Sequence, residues 1–195
     1  MTIYIIDTET TGLTSKDEVI HLATIKIPHT RKELFKSNFL DLPITSEYYR
    51  PNVAIHPKAQ EVHGIGRLRL MDKPNSLTVK LPSDIKYLIA HNAVFDTRML
   101  ANMNETNKEI LGKIKIICTL TIAKRLKVVL PDIFKPSDNK LRTIYKFLYP
   151  DSIIAGAYHD ATEDCIMCGA IIKYVYEQFA YITNMDELYA SFYLD

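Results

Sequence analysis

The chain has 195 residues, of which 47% are hydrophobic, and it carries 24 Lys and Arg against 23 Asp and Glu. This length and apolar fraction predict one globular domain over residues 1–195, and the apolar runs are too short to cross a membrane. The formal net charge of +1 excludes the strongly basic composition that would by itself indicate a nucleic-acid-binding protein.

The N-terminus and the cysteines predict a cytoplasmic protein. The chain begins with a strand-like run and does not show the basic segment followed by an apolar segment that is typical of an export signal. Cys118, Cys165 and Cys168 are an odd set of three, so a disulfide framework is not expected. Cys165 and Cys168 have C-x-x-C spacing within a predicted helix, but no second ligand pair follows. We therefore expect buried thiols there rather than a zinc site.

The first half of the chain predicts three strands and one helix. Runs rich in apolar and β-branched residues predict strands over residues 2–6, 19–27 and 35–40, and we expect these strands to pair antiparallel. Pro57 opens a short helix and Gly64 follows its end, because Pro is favoured at the first helical position and Gly just past the last.

From residue 85 onwards, strands alternate with helices. A strand over residues 85–90 precedes a helix over 94–103, and a strand over 113–117 precedes a helix over 120–126. The remainder is mainly amphipathic helix, and the last helix begins at Asn184. This order predicts an α/β fold with a mixed five-stranded sheet, of three antiparallel strands and then parallel additions, flanked by helices. Such an architecture is compatible with a ribonuclease H-like fold.

Two acids close the first strand. Side chains alternate along a strand, so the carboxylates of Asp7 and Glu9 should point to the same side and repel each other. Such a pair is tolerated where water screens it or where a hard divalent cation binds between the oxygens. Asp7 and Glu9 are therefore either metal ligands or the solvated end of a strand.

Further acids are predicted at two helix starts. Asp96 falls in the first turn of its helix, where it would at the least favour the helix dipole. Asp160 and Glu163 have the spacing of a capping box, which makes His159 the residue before the cap and Asp164 the fourth helical residue. These last two side chains should meet, and a neutral imidazole there could take a proton from water beside a carboxylate. The alternative is a simple surface pair.

In this order, the three acidic segments resemble the motifs of the DEDDh (DnaQ-like) 3′→5′ exonuclease family. They are residues 7–13 with the sequence DTETTGL, residues 91–96 with HNAVFD, and residues 159–164 with HDATED. Residues 55–65, which end in Val62, His63, Gly64 and Ile65, are similar to a helix and turn found in proofreading exonucleases of the family. All five catalytic positions of the family are filled.

The resemblance implies a metal-dependent 3′→5′ exonuclease that releases nucleoside 5′-monophosphates from DNA. It implies two divalent cations, Mg²⁺ or Mn²⁺. Asp7, Glu9 and Asp164 would hold the first cation. Asp7 would bridge to the second cation, and Asp96 would reach the second partly through water. His159 would be the general base. In known two-metal chemistry, ions about 3.5–4 Å apart stabilise the attacking water and the leaving 3′-oxygen.

The resemblance also implies a pocket for the terminal nucleotide. The turn after the first motif would offer backbone groups and a leucine wedge, and apolar side chains would line the pocket. The substrate-binding residues that it implies are Thr10, Gly12, Leu13, His63, Ile65, Asn92 and Phe95. For Leu13, Ile65 and Phe95, plain core packing is the alternative.

The implied partner is a nucleic acid with a free 3′ end, and residues 62–65 favour DNA. A DNA polymerase or repair complex is a further possible partner, and no membrane is expected. Three different functions stay open: an RNA-trimming exonuclease of the same type, a non-catalytic binding subunit, and a phosphatase with an aspartyl nucleophile.

Overall fold

The computed structural model describes residues 2–152 and 160–194. A single mixed sheet of five strands forms its centre, in the order β3-β2-β1-β4-β5. β1 pairs antiparallel with β2, which pairs antiparallel with β3, whereas β4 and β5 are added parallel to β1. The strands are β1 (Thr2–Thr10), β2 (Val19–Ile27), β3 (Ile44–Tyr48), β4 (Ile85–Ala90) and β5 (Lys115–Cys118). The predicted mixed five-stranded sheet is confirmed.

The predicted strand over residues 35–40 is wrong. Arg31–Lys36 form a helix instead, followed by a short 3-10 helix over Phe39–Asp41. Thr30 caps this helix by accepting a hydrogen bond from the backbone N–H of Glu33, and its hydroxyl donates to the Glu33 carboxylate at 2.7 Å. This reciprocal cap outweighs the β propensity of the aromatic and apolar residues that follow it. The third strand comes later, at Ile44–Tyr48.

Eight α-helices lie in the described part of the chain. The predicted helix with Pro57 at its first turn ends at Gly64, which has the left-handed φ of 69° that favours glycine. The predicted N-cap Asn184 is confirmed, because its side chain accepts from the backbone of Glu187. The helices are α1 (Arg31–Lys36), α2 (Pro57–His63), α3 (Ala93–Met103), α4 (Glu105–Leu111), α5 (Thr119–Val129), α6 (Leu141–Leu148), α7 (Ala161–Gln178) and α8 (Met185–Tyr193).

The sheet is covered on both faces, and β1 contributes to both cores. Ile3 and Ile5 pack in the cluster that contains the buried residues of α5, α7 and α8, whereas Ile6 packs in the cluster that contains those of α3. This alternation follows from the period of two along a strand. By the same period, Asp7 and Glu9 point toward α7, and Thr8 points toward α3.

Two cysteines and two C-terminal aromatic residues belong to the core. Cys165 and Cys168 are fully buried on α7 and form no disulfide, which confirms the predicted burial of both thiols. Tyr176 and Phe192 are buried in the same cluster. In the ranges that the structure describes, no helix combines the length and the apolar character needed to span a bilayer.

Gly169 lets α7 pack closely against the ring of Phe39, since a Cβ at this position would overlap the ring carbons. We expect Gly169→Ala to lower the free energy of unfolding by about 1–3 kcal/mol, the usual cost of overpacking a core. The control is Gly112→Ala, whose Cβ would meet its nearest atom at 3.6 Å. Urea denaturation of both variants checks this, and equal stabilities would contradict the close contact.

Candidate active site

Three carboxylates converge where β1 meets the start of α7. Asp160 caps α7 by accepting from the backbone N–H groups of Thr162 at 2.9 Å and Glu163 at 3.3 Å, which places Asp164 one turn into the helix. One carboxylate oxygen from each of Asp7, Glu9 and Asp164 lies within 4.8 Å of the other two. The structure thus brings together the three residues that were predicted to share a first cation.

Asp96 approaches the same place from the opposite face of the sheet. It is 3% exposed, and its Oδ1 accepts hydrogen bonds from the backbone N–H of Thr8 at 3.1 Å and from the Thr8 hydroxyl at 2.7 Å. Thr8 lies between Asp7 and Glu9, so Asp96 is fixed to the strand that carries the other acids. Its side chain therefore does more than favour the dipole of α3.

Three of the clustered carboxylates have raised pKa values, because they are buried close to one another. Burial raises the pKa of Asp7 well above its ordinary range, and the charges of Asp96, Asp164 and Glu9 raise it further. Burial, with the charges of Asp164 and Asp96, raises the pKa of Glu9 to about 8. Burial raises the pKa of Asp96 to about 7, although the hydrogen bonds from Thr8 oppose this rise. Several buried carboxylate oxygens within reach of one ion form a donor set that fits a hard divalent cation.

Arg142, which belongs to none of the three acidic motifs, faces this cluster. Its Nη2 lies 3.5 Å from Asp164 Oδ1 and 3.8 Å from Glu163 Oε2, and its side chain is only 19% exposed. Its charge lowers the pKa of Glu9 and so offsets part of the effect of the acids. The only local signal was a basic residue in the first turn of an amphipathic helix. Its direction was decided by the packing of α6 against α7.

The predicted general base, His159, lies outside the described residues, and its role stays a prediction. Its described neighbour Asp160 forms the predicted N-cap of α7.

A cavity of about 400 Å³ opens beside Glu9, within the size range of ligand pockets. Its wall includes Leu13, which is 75% exposed and therefore projects from the turn after β1 instead of packing in the core. Five of the predicted substrate residues line this cavity: Thr10, Gly12, Leu13, His63 and Phe95.

His63 joins the end of α2 to β1. The backbone N–H of Ile65 donates to His63 Nδ1 at 3.0 Å, so Nε2 carries the proton and donates to the carbonyl of Thr10 at 3.2 Å. The ring is 6% exposed, and it therefore holds the wall of the cavity in place.

Two predicted substrate residues lie elsewhere. Ile65 is 2% exposed and packs with Ile20 and Leu70, so for this residue the core-packing alternative is what the structure shows. Asn92 is exposed, has the left-handed φ of 60°, and lines a separate open groove together with Asp7 and Asp164. Asn92 thus lies next to the carboxylates but not in the cavity with Leu13.

The raised pKa of Glu9 predicts how the metal-free protein responds to pH. The folded state holds the proton of Glu9 more tightly than the unfolded state, so the contribution of Glu9 to stability is full below about pH 4.5 and is lost as the pH rises through about 8. In EDTA, we expect the melting temperature to fall across this window, and we expect Glu9→Gln to reduce the fall.

Thermal unfolding at a series of pH values checks this expectation. Mn²⁺ should oppose the fall in the wild type, because a bound cation compensates the ionised carboxylates. The matched control is Glu109→Gln, which removes an exposed carboxylate of α4 and should leave the pH dependence unchanged. A melting temperature in EDTA that stays level or rises with pH would contradict the raised pKa of Glu9.

Solved structures of similar fold include exonucleases. Exonuclease X in complex with 5′-overhanging duplex DNA matches with a TM-score of 0.66 and 23% identity, over 91% of this chain and 93% of its own. The zinc-bound complex of E. coli exonuclease I with single-stranded DNA matches with a TM-score of 0.72 and 18% identity, over 93% of this chain. The match covers only 41% of exonuclease I. These likenesses confirm the predicted ribonuclease H-like fold.

Sequence comparison gives the family directly. No protein of curated function gives a significant match. Residues 4–172, which include all the described carboxylates of the cluster, match the family described as RNase T exonuclease. The chain is therefore an enzyme of the exonuclease class and belongs to the RNase T exonuclease family, in agreement with the resemblance of its motifs to DnaQ-like 3′→5′ exonucleases.

Proposed function

We propose that this protein is a metal-dependent exonuclease that removes nucleoside 5′-monophosphates from the 3′ end of DNA. The observation that carries the proposal is the convergence of Asp7, Glu9 and Asp164 within 4.8 Å, in a family of exonucleases. The adjoining cavity with its exposed Leu13 supports a site for a terminal nucleotide. DNA is favoured because exonuclease X and exonuclease I, which share the fold, have been solved with DNA.

Each acid of the cluster has a part in this proposal. Asp7, Glu9 and Asp164 hold one divalent cation, Mg²⁺ or Mn²⁺, and Asp7 and Asp96 serve a second. When bound, the cations supply positive charge to the scissile phosphate and to the attacking and leaving oxygens. Thr8 keeps Asp96 oriented through its two hydrogen bonds, and Arg142 restrains Asp164. His159 takes the proton of the attacking water.

The cavity holds the terminal nucleotide. Leu13 projects from its turn and can insert beside a base, and Phe95 offers a ring for stacking, which every base accepts without regard to sequence. Lys58 lines the same cavity and adds positive charge near the phosphates. Asn92, in the groove beside Asp7 and Asp164, is placed to contact the strand on the far side of the carboxylates.

A non-catalytic subunit and an aspartyl phosphatase have less support from the site. A subunit that only binds nucleic acid would have no need of buried carboxylates with raised pKa values, which cost stability without a cation. An aspartyl phosphatase would use Asp7 of the Asp7-x-Glu9 pair as its nucleophile, whereas an oxygen of Asp7 lies within 4.8 Å of oxygens of both Glu9 and Asp164, an arrangement that favours a metal ligand. The cytoplasmic location and the association with a polymerase or repair complex stay predictions.

A time course with 5′-labelled oligonucleotides tests the proposed function. We expect a single-stranded DNA to shorten from its 3′ end with Mg²⁺ or Mn²⁺, and to stay intact in EDTA or with Asp7→Asn. Release of 5′-monophosphates is checked by chromatography of the products. An RNA of the same sequence should be cut more slowly, and a faster RNA reaction would transfer the proposal to RNA trimming. If neither the DNA nor the RNA becomes shorter, the proposed nuclease activity is contradicted.

Two variants separate the proton acceptor from the metal ligand. We expect His159→Ala to lower kcat by about 10²–10⁴-fold and to leave the Mn²⁺ affinity unchanged, because a base is lost and not a ligand. Asp164→Asn should weaken Mn²⁺ binding itself, since it removes one of the converging carboxylates. Calorimetric titration with Mn²⁺ gives the comparison. Equal affinities of wild type and Asp164→Asn would count against the ligand assignment.

A further inference from the structure

The turn that carries Leu13 is stabilised by hydrogen bonds among its own residues. We call residues 10–17 the wedge loop. The carboxylate of Asp17 accepts hydrogen bonds from the Thr11 hydroxyl at 2.9 Å and from the N–H and hydroxyl of Thr14 at 2.8 and 2.7 Å. A Cβ on Gly12 would lie 2.6 Å from this carboxylate, so a larger residue would have to displace the Asp17 side chain from its hydrogen bonds. The wedge loop is therefore compact, and it presents Leu13 to solvent.

Helix α3 holds the wedge loop from outside. Arg98 Nη2 donates to the carbonyl of Leu13 at 3.0 Å, and Asn102 Nδ2 donates to the carbonyl of Ser15 at 3.4 Å. Arg98 and Asn102 are four residues apart, so they lie on one face of α3 at consecutive turns. Two side chains of one helix face thus reach two carbonyls of the same loop.

Arg98 also contacts the other apolar wall of the cavity. Its guanidinium carbon lies 5.5 Å from the ring centroid of Phe95, one turn earlier on α3. Leu13 and Phe95 come from distant parts of the chain, yet both line the cavity beside Glu9. The two contacts of Arg98 connect the wedge loop with the Phe95 ring and so restrain the distance between Leu13 and Phe95.

We propose that Arg98 is a positioning residue that fixes the Leu13 wedge relative to Phe95 and thereby sets how tightly the terminal nucleobase is held. The inference rests on the proposed function, because it takes the cavity to be the site of the terminal nucleotide. Arg98 acts through the wedge loop and through the ring of Phe95, and it does not contact a phosphate. Its loss should loosen the terminal base while the rest of the strand stays bound.

A terminal fluorescent base reports this role. The probe is a single-stranded DNA with 2-aminopurine at its 3′ end, and the reference is the same DNA with 2-aminopurine at an internal position. Both are bound to the Asp7→Asn protein, which should not hydrolyse them. We expect the additional change Arg98→Ala to weaken binding about 5- to 10-fold, which is the size of the net contribution of one typical hydrogen bond. The fluorescence of the terminal probe should rise as the base unstacks, and the internal probe should not change. Lys108→Ala, which removes an exposed cation of α4, is the control.

The salt dependence distinguishes positioning from direct contact. A positioning role leaves the slope of log Kobs against log salt unchanged in Arg98→Ala. Loss of a phosphate contact would reduce its magnitude by about 0.7 for single-stranded DNA. Arg98→Lys keeps the charge but loses the planar group that reaches both walls, so it should behave like Arg98→Ala.

A reduced slope, or full rescue by Lys, would overturn the proposal. Terminal fluorescence that Arg98→Ala leaves unchanged would also overturn it, when the wild type digests DNA. A wild type that neither binds nor shortens the probe would instead refute the proposed function itself.

Discussion

The mutual repulsion of the clustered carboxylates is the constraint on which the rest of the structure depends. Like charges in a buried place raise one another's pKa, and the fold nevertheless holds Asp7, Glu9, Asp96 and Asp164 together. The cores on both faces of the sheet offset this cost, since apolar burial is the main favourable term in folding. Arg142 compensates part of the negative charge, and the proposed cations would compensate more.

Strand β1 connects the acids to the cavity. Its successive residues alternate between the α7 face, with Asp7 and Glu9, and the α3 face, where Thr8 binds Asp96. At the end of the strand, the carbonyl of Thr10 accepts from His63, and the wedge loop begins. In the proposed function, a reacting phosphate at the carboxylates would therefore lie next to the wall that is proposed to hold the terminal base, because one strand carries both.

Local sequence signals predicted the elements that are stabilised locally. The cap at Asp160, the Pro57 and Gly64 boundaries of α2 and the Asn184 cap of α8 were all predicted, because each depends on residues within one turn. Residues 35–40 do not form the predicted strand, because the cap formed by Thr30 and Glu33 starts a helix that outweighs their β propensity. Ile65 was predicted at the substrate site, but its environment is set by Ile20 and Leu70, which lie far away in sequence.

The sequence by itself determined the chemical groups and their local placement: the order of strands and helices outside residues 31–48, the shared face of Asp7 and Glu9, and the helix starts that carry Asp96 and Asp164. These follow from side-chain periodicity and capping, which act over a few residues. Only the tertiary structure decided that Thr8 fixes Asp96, that Arg142 faces Asp164, and that Arg98 reaches both Leu13 and Phe95. The physical reason is that each of these contacts joins side chains from different elements, and the packing of helices on the sheet sets their distances.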